Sequence, residues 1–318
     1  MRMQDLKIVD CTVRDGGLNN NLQFDHEFVR AVFKACCDAG LDYCELGYKN
    51  SRKMFDPAEN GAWRFSDEED LVKATEGIDR KKSKISVMMD AHKSEPEDLI
   101  PSDDSVIDMV RVATYLKDLN KAIQTVKHAH ELGYETAINI MAISHVYTNE
   151  LEEALDRLEE ETSAKVVYIV DSFGALYQDQ LHFLISKYQM HLKTKEVGGH
   201  FHNHQQLAFA NTIDCIIKDC TWVDSTLNGF GRAAGNCCTE LLMGFVKNPD
   251  HNILPVLDVI GKHIIPLKQR LEWGYHIPYM ITSALNQHPL AAMEQMSKTE
   301  DEGKHDYVRF YSSVDEVY

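Results

Sequence analysis

Val166-Val167-Tyr168-Ile169-Val170-Asp171 and, one helical stretch later, Val197-Gly198-Gly199-His200-Phe201-His202 are short runs, apolar almost throughout, that stop at a titratable group. A strand that is apolar on both faces suits a parallel sheet covered by helices; an antiparallel surface strand alternates with period two. Similar runs lie at 7–14, 43–48, 85–90, 109–114 and 136–143 before them and at 222–227 after them. Amphipathic stretches separate the runs. Phe28, Val32 and Ala35 recur at helical spacing between Asp25, a predicted N-cap, and Gly40, a predicted stop, and Leu151, Leu155 and Leu158 repeat the pattern. Strand-then-helix alternation alone also suits an open doubly wound sheet. A count of eight, with the chemistry at the strand ends, decides for an α/β fold of the (β/α)8 TIM-barrel type.

Such barrels take about 250 residues, so the 318-residue chain reads as a barrel over 1–245 with a C-terminal helical extension over 246–318. Helices are expected over 237–246 and 253–273, and a charged tail from about Ser297 reads as loose or as an oligomer contact. The stretch 47–66 is long for a βα loop and reads as a lid. The net charge of −17 argues against nucleic acid or an anionic membrane surface as partner. Met1-Arg2-Met3-Gln4-Asp5 leads straight into a strand-like run, with no charged-then-apolar leader, and no apolar stretch reaches membrane-spanning length. The eight cysteines form no CxxC pair and read as reduced core residues of a cytoplasmic protein.

Catalytic groups of a barrel lie at the C-terminal ends of its strands. Those ends offer Arg14 and Asp15, Glu45, Asp90 and His92, Ser144 and His145, Asp171 and Ser172, His200 and His202, and the segment 228–236. His200 and His202, two apart on a strand, face one way and suit a shared cation; His204 lies beyond them in the loop. The carboxylate best placed to join them is Asp15. Two imidazoles and a carboxylate leave open positions on an octahedral ion, a set suited to polarising a carbonyl and stabilising an enolate. Arg14 adds a fixed positive charge, or forms a salt bridge to Glu45. In Gly229-Phe230-Gly231-Arg232-Ala233-Ala234-Gly235-Asn236 the glycines allow close backbone approach to a ligand, the following helix N-terminus favours an anion, and Asn236 opens that helix as a candidate N-cap. Glu45, Ser172 and Gly231 are the substrate-binding candidates.

Asp10-Cys11-Thr12-Val13-Arg14-Asp15-Gly16, His200-Phe201-His202 continuing to Ala210-Asn211-Thr212, Asp171-Ser172-Phe173-Gly174, and the glycine loop together resemble the metal-dependent aldolase and Claisen-type superfamily. It holds the 4-hydroxy-2-oxovalerate aldolases, hydroxymethylglutaryl-CoA lyases, and isopropylmalate and homocitrate synthases. Ile143-Ser144-His145, Val170–Ala175 and Gly274-Tyr275 with Tyr279 make the aldolases the nearest branch. The resemblance implies Mn2+ or Mg2+, with Zn2+ a third candidate, held by Asp15, His200 and His202, with Arg14 steadying a pyruvate-like enolate and Asn236 joining the ligands as in the lyases. It also implies a role for Asp171, and small-molecule substrates: a 2-oxo acid and an aldehyde.

Three departures shape the expectation, the first being Arg232-Ala233-Ala234 where the hydroxymethylglutaryl-CoA lyases place a cysteine, which disfavours that activity. The bacterial aldolases place a catalytic histidine four residues after the strand-one arginine, where this chain has Leu18. His92, His145, Tyr275 or a water at the metal are the substitutes considered. The chain also reads as short for the C-terminal region through which those aldolases contact an aldehyde dehydrogenase, which argues against that channelling partner. A homodimer fits its Tyr- and Phe-bearing helices. The rival readings are a Claisen-type acyl-CoA/2-oxo acid synthase, a metal-dependent hydrolase (disfavoured because those carry HxH on the first strand), and a non-catalytic barrel lacking the base.

Overall fold

A computed structural model describes residues 5–315; the readings made on residues 1–4 and on the end of the tail lie outside them. Among the described residues, eight parallel strands close a barrel in chain order: β1 (Lys7–Asp10), β2 (Tyr43–Tyr48), β3 (Lys84–Asp90), β4 (Met109–Thr114), β5 (Glu135–Ile140), β6 (Val166–Asp171), β7 (Glu196–Phe201) and β8 (Trp222–Ser225). The closing register pairs Ile8 with Val223 and Asp10 with Ser225. The chain is thus a (β/α)8 TIM barrel with further helices after it.

The helices alternate with the strands as the apolar spacing predicts: α1 (Thr12–Gly16), α2 (His26–Ala39), α3 (Glu68–Thr75), α4 (Leu119–Glu131), α5 (Thr148–Glu161), α6 (Gln178–His191), α7 (Ala208–Ile217) and α8 (Thr239–Val246). On α2, Asp25 accepts a hydrogen bond from Phe28 N at 2.7 Å and Gly40 closes the helix in the left-handed conformation. The barrel interior holds Val9, Cys11, Tyr43, Met109, Tyr168, Val170 and Trp222. Gly198 is required there, because a Cβ would lie 2.8 Å from the Tyr168 ring. All eight cysteines are free, and among the described residues no helix is long and apolar enough to cross a membrane.

Several expectations change, among them the end of the eighth strand, which stops at Ser225 and not at 227. The first strand ends at Asp10, not at 14, because the Asp10 carboxylate accepts from Thr12 N and Thr12 Oγ1, both at 3.0 Å, and turns the chain into α1. The fifth strand stops at Ile140, before a 3-10 turn (Ile143–His145) entered through Ala142 at φ 51°. The helix expected over 253–273 is α9 (Leu254–Val259), a π-helical turn (Ile260–Ile264) and α10 (Ile265–Leu267); Pro266 has no N–H to return to an earlier carbonyl, and the ladder widens ahead of it. The tail is not loose. Beyond α11 (Ile277–Ala284) and α12 (Leu290–Ser297), α13 (Tyr307–Asp315) buries Phe310 and Val314 in a cluster with Tyr279, Ile281, Ala292 and the loop residues Ala233 and Ala234. Of the 47–66 loop, the two ends are packed, with Trp63 fully buried and its Nε1 donating to Phe24 O at 3.0 Å, while 52–54 and 56–59 are exposed.

Candidate active site

Four side chains from three parts of the barrel meet at its C-terminal end. Asp15 comes from α1, His200 from β7, His202 from the residue after it, and Asn236 from the glycine loop; all are buried. Asp15 Oδ2 lies 3.1 Å from His200 Nε2 and 3.9 Å from His202 Nε2. His202 pairs with Asn236 through an isolated bridge, which holds the loop against the end of β7. The Asn236 amide nitrogen donates to Asp15 Oδ2 at 3.1 Å and lies 3.2 Å from His200 Nε2, while its Oδ1 is buried with no partner. Asp15, His200 and His202 can each turn one ligand atom to a common point.

This donor set fits a divalent cation. His200 Nδ1 lies 2.9 Å from Asp224 Oδ2; in the neutral ring that donates there, the Nε2 lone pair faces the Asp15 carboxylate. Two buried acceptors that close need a proton or a cation between them. Burial disfavours the imidazolium of His200, yet hydrogen bonds to Asp15 and Asp224 outweigh it and raise its pKa. For His202 burial dominates, Arg232 and His200 add to it, and the pKa falls well below the usual histidine range. Asp15 is held well below the carboxylate range: burial opposes ionisation, but Arg14 and the two histidines prevail. The orphaned amide oxygen of Asn236 completes a set of nitrogen and oxygen donors.

Beneath the four runs a buried ionic chain. Arg14 Nη1 is 3.2 Å from Asp15 and its Nε donates to Glu45 at 2.7 Å. Glu45 accepts from Arg111 at 3.0 Å, and Arg111 donates to Asp224 at 2.7 Å. Asp224 orients His200. Arg111, on β4, is fully buried with its guanidinium 4.4 Å from the Tyr168 ring centroid. The residue reading missed Arg111 and Asp224, although charges in the middle of apolar strands were visible signals.

The cavity above is lined by Arg14, Asp15, His200 and His202 together with Leu18, Tyr48, Asp90, Tyr115, Asn139, Ser172, Arg232 and His288. Several expected site residues are elsewhere. Asp171 accepts from Ala175 N and Leu176 N at 2.9 and 3.2 Å and shapes its own loop; burial lifts its pKa to about 6. His145 is exposed and bonded to the Asn286 backbone carbonyl, because the turn at Ala142 carries it outside. Tyr275 is 44% exposed. Glu45 is committed to two arginines and Gly231 O accepts from Asn19 Nδ2, so neither lines the cavity; Ser172 does. His204 is fully buried behind His202, with both ring nitrogens unpartnered.

A family model described as HMGL-like matches residues 5–253. The chain belongs to the HMGL-like family. This makes it an enzyme of the metal-dependent aldolase and lyase class. The 4-hydroxy-2-oxovalerate aldolase of Geobacillus thermodenitrificans is 31% identical to the HMGL-like chain over 270 residues, 84% of this chain and 78% of the relative. The aldolase of the same name from Thermus thermophilus is 29% identical over 255 residues, 79% and 72% of the two chains. Among solved structures, the N-terminal domain of a candidate aldolase from Bacteroides vulgatus superposes with a TM-score of 0.81 at 26% identity, covering 93% of this chain and 98% of that one. The HMG-CoA lyase of Bacillus subtilis, at 16% identity and a TM-score of 0.69 over 84% and 95%, shares the fold. Against that background the HMGL-like chain places Leu18 in the cavity wall.

Proposed function

We propose that this chain is a divalent-metal-dependent aldolase that breaks or forms the C3–C4 bond of a 4-hydroxy-2-oxo acid through the enolate of a pyruvate-like fragment. The observation that carries the reading is the convergence of Asp15, His200 and His202 beside the Arg14 guanidinium in one cavity, with the buried Asn236 amide hydrogen-bonded to Asp15. A cation held by Asp15, His200, His202 and Asn236, Mn2+ or Mg2+ with Zn2+ as third candidate, would polarise the 2-oxo group and balance charge developing on its oxygen.

Arg14 brings a fixed positive charge to the same place, already oriented by Glu45, so no reorganisation is needed as the enolate forms. Leu18 cannot move a proton. Asp90, a buried carboxylate in the cavity wall, takes its part and accepts the proton of the 4-hydroxyl. The C3–C4 bond then breaks, its electron pair stays with the pyruvate half, and C4 leaves as an aldehyde. Tyr48 keeps its proton at neutral pH because burial raises its pKa, and it is the donor on the Arg14 side for returning a proton to C3.

With Mn2+, the protein is expected to exchange the methyl protons of pyruvate with deuterium, followed by mass. Asp15→Asn and His202→Ala should abolish exchange together with Mn2+ binding. Tyr48→Phe should keep the metal and slow exchange by about 100-fold or more, whereas Asp90→Asn should keep both metal and exchange and slow cleavage of a 4-hydroxy-2-oxo acid by a similar factor. Absence of exchange with every divalent cation sinks the enolate mechanism.

A further inference from the structure

Arg232 reaches the cavity from the glycine loop, and its guanidinium is not neutralised. Among the described residues it has no carboxylate within ion-pair distance, whereas Arg14 has two, Asp15 and Glu45. Its only side-chain hydrogen bond among the described residues runs from Nη2 to the Ser172 carbonyl at 2.9 Å, and its buried Nε finds no partner among them. Its backbone N–H, in contrast, is engaged with Asp15 Oδ1 at 3.2 Å, so the residue is anchored beside the cation site while its fork stays open. Tyr115 and His288, neutral or cationic groups, share its stretch of wall. The one further carboxylate of the wall, Asp90, lies 3.5 Å from Lys93.

A partly buried guanidinium with an orphaned Nε and no counterion is incomplete until an oxyanion accepts from it, and its planar fork donates bidentately to a carboxylate. We propose that Arg232 binds a second carboxylate on the aldehyde half of the substrate, so that the substrate class is a 4-hydroxy-2-oxo dicarboxylate and the aldehyde released is itself an oxo acid. The inference rests on the reading of the cavity as a 2-oxo acid site. The cavity, about 70 Å3, suits a short chain and a carboxylate in preference to a phosphate. In cleavage the C3–C4 bond breaks, the electron pair remains on the pyruvate half, the hydroxyl proton passes to Asp90, and C4 departs as the aldehyde carbon with its carboxylate still on Arg232. No further reactant is consumed.

The test compares two unreactive five-carbon 2-oxo acids on the Mn2+-loaded protein by calorimetry: 2-oxoglutarate, which carries the distal carboxylate, and 2-oxopentanoate, which ends in a methyl group. The wild type should bind 2-oxoglutarate at least tenfold more tightly. Arg232→Met should erase that ratio while leaving pyruvate affinity near wild type, and Arg232→Lys should retain part of it. In turnover, glyoxylate should outcompete acetaldehyde as acceptor for pyruvate by a similar factor. Equal affinity of the two oxo acids for the wild type overturns the proposal and leaves the aldolase reading intact. Failure of pyruvate itself to bind removes the 2-oxo acid reading, and the proposal with it.

Discussion

At Arg111 a guanidinium with no solvent exposure is shared between Glu45 and Asp224, and those carboxylates in turn orient Arg14 and His200. Arg111→Met would leave two buried carboxylates with one counterion fewer, a loss that costs about 3–5 kcal/mol when a buried ion pair is broken from one side. Urea unfolding should show that drop, and Arg111→Lys, which keeps the charge without the fork, should fall between. Asp10 offers a second test at this scale. Burial raises its pKa to about 6, against hydrogen bonds from Thr12 and Thr239 that favour the charged form. A carboxyl whose pKa rises on folding contributes stability while protonated, and that contribution is lost as pH climbs through the folded value. The wild type should therefore lose about 1 kcal/mol between pH 5 and pH 7 relative to Asp10→Asn, measured from unfolding midpoints. A flat difference across that window would contradict the assignment.

Among the elements, the loop after β8 is built around close contact. A Cβ on Gly231 would run into the Asn236 side-chain amide, and Ala233 at φ 57° turns the chain so that Asn236 returns to bridge His202. Gly231→Ala should push the Asn236 amide away from Asp15 and His200 and weaken Mn2+ binding by at least about tenfold, with the unfolding midpoint nearly unchanged. Much of this element was readable: its glycines announced a close approach and Asn236 stood at its end. The side chain that the loop turns into the cavity, Arg232, had no such signal, because its direction depends on the left-handed residue that follows it. The turn after β5 misleads in the same way, since Ala142 sends His145 to the surface although strand-end position favoured it.

Across the whole molecule, the helices after the barrel rest on the site rather than trail from it. Phe310 and Val314 of α13 and Tyr279 of α11 pack in one cluster with Ala233 and Ala234, the two residues before Gly235 and Asn236. Phe310→Ala should cost about 3 kcal/mol in thermal unfolding and loosen the loop enough to weaken Mn2+ binding; an unaltered metal affinity would show that the loop holds its shape unaided. His288, between α11 and α12, also enters the cavity wall from this region. The barrel, its helix order, the histidine pair and the Arg14–Asp15 step were all present in local pattern, since apolar runs, spacing of two on a strand and residue type at a strand end are properties of contiguous chain. Which polar groups meet in and beneath the site was not local. Glu45, Arg111 and Asp224 lie on β2, β4 and β8 and meet only because the barrel closes, and Asp90, Arg232 and His288 face one another only once turns and packing have set their directions.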